Sequence, residues 1–150
     1  MRSPSAFVIT VALVLITSGT TIAQTKPDFS GTWALDPDSG IGPPQLTLTQ
    51  DANTLTVATS FDKGGLVLTT TYNLDGSESV NRAFGGPAIV SRATWEGNRL
   101  VIVTPRNVGG KEVEQRDALA MAGGDLVFET TRFDLQGAAT AVRLVYTKGR

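Results

Sequence analysis

The 150-residue chain contains no His and no Cys. That removes Ser-His-Asp triads, imidazole acid–base work and most zinc sites. It also removes any disulfide framework. The chemistry left rests on carboxylates, tyrosines, arginines and amide or hydroxyl side chains. Asp36-Pro37-Asp38-Ser39-Gly40 has the outline of a calcium loop, but Pro37 and the missing distal Glu argue against it. The Gly-Gly pairs 64–65, 85–86, 109–110 and 123–124 do not precede helices, so they are not phosphate loops. More informative is a set of polar residues spaced among apolar ones: Thr70, Tyr72, Arg82, Ser91, Gln115, Asp117, Thr130 and Arg132. If one face of a sheet carried them all, they would converge. Arg82 or Arg132 opposite Asp117 would then form an electrostatic floor or bind a carboxylate.

The elements that must position them have a period of two. From Asp28 onward, segments rich in Thr, Val, Leu and aromatics alternate apolar with polar residues, and short Gly, Asn and Asp clusters separate them. This predicts strands over 29–35, 45–50, 54–61, 66–74, 79–84, 89–96, 99–104, 112–121, 125–133 and 140–147. Asp51-Ala52-Asn53, Asp75-Gly76 and Glu96-Gly97-Asn98 supply hairpin turns. Residues 36–44, with three prolines, form a longer loop, and Gly85-Gly86-Pro87 marks a second irregular stretch. Residues 111–121 also carry helix formers, but their alternation fits a strand.

Alternation puts Phe29, Gly31, Trp33 and Leu35 on one face, taken as the inner one. The same rule points Val80, Arg82 and Phe84 inward, with Ile89, Ser91, Ala93 and Trp95 on the next strand. Val113, Gln115, Asp117, Leu119 and Met121 follow, then Leu126, Phe128, Thr130 and Arg132, then Val142, Leu144 and Tyr146. A slip of one residue at any bulge would reverse these assignments. About ten short strands with mostly short connections predict an all-β, up-and-down antiparallel β-barrel of about 8–10 strands, since closure removes the edges. A β-sandwich is the alternative.

Residues 1–23 read as a secretory signal peptide. A single Arg2 precedes an apolar run from Ala6 to Ile16, and small residues lead to Ala23. The run is too short for a membrane-spanning helix, which needs about 20 apolar residues. The expected product is one domain over residues 24–150, periplasmic or secreted, with no stable membrane insertion. The net charge is −1, and no basic patch or stripe marks a nucleic-acid or anionic-lipid partner.

The segment Phe29-Ser30-Gly31-Thr32-Trp33 has a Gly-x-Trp on the first strand. It resembles the lipocalin signature, and in particular that of small bacterial lipocalin-like (calycin-like) exported proteins. The resemblance covers residues 28–36. It implies a barrel able to hold a small apolar ligand, with Trp33 plugging one end and Gly31 giving it room. It also implies a basic residue from a late strand over that Trp, for which Arg132 and Arg143 are the candidates. The paired cysteines of that family are lacking.

The leading expectation is therefore a non-catalytic exported module binding an apolar or amphipathic small molecule. Its ligand contacts would be Tyr72, Arg82, Ser91, Gln115, Asp117, Thr130 and Arg132. No cofactor and no metal is expected. A cell-envelope structural or protein-interaction domain with a filled core is the alternative. An enzyme would have to use Tyr72 with Arg82 or Asp117.

Overall fold

A computed structural model describes residues 25–62 and 65–149, and the expected signal segment lies outside the described residues. Ten strands occur in the anticipated order: β1 (Gly31–Leu35), β2 (Gln45–Gln50), β3 (Thr54–Ser60), β4 (Val67–Asn73), β5 (Glu78–Arg82), β6 (Ala88–Glu96), β7 (Arg99–Val108), β8 (Lys111–Ala122), β9 (Asp125–Phe133) and β10 (Ala139–Lys148). All pair antiparallel in one sheet ordered β4-β3-β2-β1-β10-β9-β8-β7-β6-β5. The first and last strands close on each other in the register Trp33↔Lys148 and Leu35↔Tyr146. The result is a nearly closed all-β barrel. No helix among the described residues is long and apolar enough to cross a membrane.

The sheet's two free edges, β4 and β5, are consecutive in the chain. Side chains rather than a backbone ladder join them. Thr71 N–H donates to Asn81 Oδ1 at 2.9 Å, and Asn81 Nδ2 donates back to Thr71 O at 2.9 Å. Nearer the turn, Asn73 N–H donates to Ser79 Oγ at 2.7 Å and Asn73 Nδ2 to Glu78 O at 2.9 Å. This seam reverses the expected faces of β5. Ser79 is 3% exposed, whereas Val80 and Phe84 are 62% and 63% exposed. Backbone groups left unpaired on β4 need polar partners, so Ser79 and Asn81 turn inward and Val80, Arg82 and Phe84 turn out.

One end of the barrel is plugged. Phe29 and Trp33 are fully buried, and Trp95 stacks on Phe29 with ring centroids 5.8 Å apart. Trp33 Nε1 donates to Phe29 O at 2.9 Å, which satisfies the indole in the core. Gly31 suits this position because its φ of +146° is one that L side chains rarely adopt; a Cβ there would also lie 3.3 Å from Lys148 Cε. The cation over Trp33 is Lys148, with Nζ 5.5 Å from the ring centroid. Arg132 and Arg143 do not take that place. Gln50 ties the incoming segment down, accepting from Phe29 N–H and donating to Pro27 O, both at 3.0 Å.

The outer face is also covered locally. Val101, Ala118 and Val127 point outward yet are buried. Arg99 on β7 reaches Glu129 on β9, and Arg116 on β8 reaches Glu96 on β6, at 2.7 and 2.6 Å. Each pair skips one strand, so the side-chain stems lie over the apolar residues between. Such exposed pairs are worth about 0–1 kcal/mol each, and their covering role is the larger contribution.

Candidate functional site

Toward the other end, the inward positions change from apolar to polar. Alternation on β4, β6, β8 and β9 brings Thr70, Tyr72, Ser91, Gln115, Asp117 and Thr130 to one interior. The space they bound is hollow and has three adjoining compartments. An inner one of about 250 Å³ lies among Leu46, Val57, Tyr72, Phe128 and Tyr146, with Gln115 and Asp117 in its wall. A second, of about 150 Å³, lies against the seam between Tyr72, Asn81, Ser91 and Thr104, with Asp117 again in the wall. The third, about 470 Å³ and more open, forms the mouth between Arg106, Arg132, Phe128 and Phe133. Gln115 lines all three.

Asp117 is the charged centre of the interior. Its Oδ1 accepts from Thr130 Oγ1 at 2.5 Å, and Gln115 Nε2 lies 3.2 Å from both carboxylate oxygens. Adjacent register makes this possible, because Asp117 and Thr130 are cross-strand partners. Burial pushes the Asp117 carboxyl above the ordinary aspartate range, while the Thr130 and Gln115 bonds and the charge of Arg106 pull against it. Burial also raises the Tyr72 phenol; a bond from Thr70 opposes this and the Asp117 charge adds to it. The Tyr146 phenol is pushed up to about 12 by burial, with Arg132 opposing. Tyr146 donates to Pro43 O at 3.1 Å. Both tyrosines are therefore neutral donors at ordinary pH.

The buried Ser91 spends its hydroxyl on Thr104 Oγ1, 2.7 Å away. Arg132 stands at the rim, where its Nη2 donates to Ile41 O and holds the 36–44 loop over part of the mouth. Arg82 is not in the site. It faces outward, and its Nη1 donates to Gly86 O at 3.2 Å, so it forms neither a floor with Asp117 nor a catalytic pair with Tyr72. Two residues that the sequence reading passed over belong here. Asn81 replaces Arg82 through the reversed face of β5. Arg106 enters because β7 runs on through Pro105 to Val108. Pro105 is tolerated there because pairing with β6 ends at Val103, leaving no ladder bond for its missing N–H to break. Among the described residues, no cluster of three or more carboxylates could hold a metal ion.

No family model and no curated protein matches the chain. Several solved structures share its fold. Zebrafish ileal bile acid-binding protein, complexed with cholic acid, is 20% identical with a TM-score of 0.60, over 81% of this chain and 98% of that one. A variant of the REP1-NXSQ fatty acid transporter is 13% identical with a TM-score of 0.59, over 80% and 97%. A variant of the fluorescent protein UnaG is 20% identical with a TM-score of 0.55, over 81% and 96%. At these identities the likeness shows the fold alone, an antiparallel β-barrel shared with these proteins.

Proposed function

We propose that this chain is an exported, non-catalytic module that holds a small apolar or amphipathic molecule inside its barrel. The observation that carries the reading is the hollow interior, in which apolar walls surround a few fixed polar groups. Tyr72, Ser91, Gln115 and Asp117 are its proposed inner contacts, with Thr130 and Arg132 at the mouth. The bile acid-binding protein and the fatty acid transporter among its structural neighbours support it. Export rests on the charge, apolar run and small-residue layout of residues 1–23.

Titration of the purified protein with anilinonaphthalene sulfonate, followed by native mass spectrometry, tests binding. Fluorescence enhancement that apolar competitors reverse, with a one-to-one adduct, is the expected result. No enhancement and no adduct would refute it. Export is checked by fractionating a bacterial expression host and sequencing the mature N-terminus, which should begin at Gln24.

A further inference from the structure

We infer that the inner compartment selects an amphipathic amine, with the ammonium held at Asp117 and the apolar part against the surrounding walls. This rests on the binding reading above and names its ligand class.

Charge is spread unevenly over the compartments, and the one against the seam has both Arg106 and Asp117 in its wall. Arg106 and Arg132 are the charged residues of the mouth, whereas Asp117 is the charged residue of the inner compartment, whose remaining lining is apolar, aromatic or neutral. No guanidinium or ammonium among the described residues lies within ion-pair distance of Asp117. Its hydrogen-bond donors are Thr130 and Gln115, both neutral. The half-buried Asp117 carboxylate has the charge of Arg106 acting on it from beyond ion-pair distance, and a cation in direct contact would offset more of its desolvation cost. Oδ1 accepts the short bond from Thr130, while Oδ2 has only the 3.2 Å contact with Gln115. Oδ2 therefore retains acceptor capacity. Tyr72, Phe128 and Tyr146 line the same compartment, and aromatic rings accommodate a cation as well as an alkyl chain. A ligand carboxylate placed there would face Asp117 with like charge. The arginines at the rim influence how fast a cation enters, and the inner wall decides how tightly it stays.

The test compares octylamine, octanol and octanoate, matched in chain length, by isothermal titration of the full protein at neutral pH. Octylamine is expected to bind roughly tenfold or more tightly than octanol, as a newly formed buried charge pair requires, and octanoate more weakly still. Asp117→Asn should abolish the amine's advantage, so that octylamine and octanol bind that variant with equal affinity. Octanoate binding as tightly as octylamine would overturn the inference, as would an amine preference that survives Asp117→Asn. The three-compound series in the unmodified protein decides the matter even if the variant folds poorly. Binding of octanol or octanoate without a preference for the amine would sink this inference and leave the binding reading standing. Binding of none of the three would sink both.

Discussion

The seam between β4 and β5 makes a strong prediction because one side chain does there what a strand does elsewhere. Asn81→Ala deletes both bonds to the Thr71 peptide group, each 2.9 Å long. A typical intramolecular hydrogen bond contributes about 0.5–1.5 kcal/mol net, so two amount to about 1–3 kcal/mol. Both bonds are solvent-exposed, and water can replace the lost partner. The expected cost is therefore in the lower half, about 1–2 kcal/mol. Urea denaturation should show a lower midpoint with an unchanged slope, because the surface exposed on unfolding is nearly the same. Amide exchange gives the local readout. Thr71 should lose its protection, while Asn73, held by Ser79 Oγ, should keep most of its own. Asn81→Asp should do no better than Ala at Thr71 O, since it replaces the donor with an acceptor. Unchanged stability together with unchanged Thr71 exchange would refute the claim that side chains close this barrel.

Two further outcomes follow from other contacts. Burial raises the folded pKa of Asp117 above the 3.8 of an unperturbed aspartate, so the folded state binds its proton more tightly than the unfolded state. Stability from this group is thus greatest at low pH and falls as pH rises through the folded value. Asp117→Asn should accordingly melt higher than the parent at neutral pH, with the gain fading as pH approaches about 3.8; a gain that grows on acidification would contradict this. Gly42→Ala places a Cβ 2.5 Å from Cδ1 of the buried Leu144, so that side chain must move from its present position. It should cost about 1–3 kcal/mol in thermal or chemical melts, and a neutral result would mean that the 36–44 loop does not rest on Leu144.

The strands were legible because alternation and turn chemistry are local. Asp51 shows why: its Oδ1 accepts from the Asn53 and Thr54 amides at 2.7 Å, so the turn residue builds the turn itself. Gln115, Asp117 and Thr130 were legible for the same reason, since each interrupts an apolar face. Arg82 was misplaced because β5 lies at the open edge, where the need to satisfy the Thr71 and Asn73 peptide groups outweighs apolar burial. Arg106 was missed because a proline reads as the end of a strand unless it is known where the neighbouring strand stops pairing. The role of Lys148 over Trp33 depends on the closure of β10 onto β1, a pairing between the two ends of the chain that no local pattern encodes. That the interior is hollow is likewise a property of summed side-chain volumes.

The antiparallel meander places the connections β1–β2, β3–β4, β5–β6, β7–β8 and β9–β10 at one end of the barrel, around the mouth. The segment before β1 and the residues after β10 leave together from the plugged end, where Gly149 N–H still bonds Thr32 O at 2.7 Å and Lys26 lies over Trp95. A tag, a fusion partner or a surface linker at either end would hold the barrel by its floor and leave the opening pointing away. Force applied between the two ends would meet the β1–β10 ladder one rung at a time, like a zipper, and not load all its rungs at once. The protein should therefore tolerate immobilisation without blocking its interior, yet open at low pulling force.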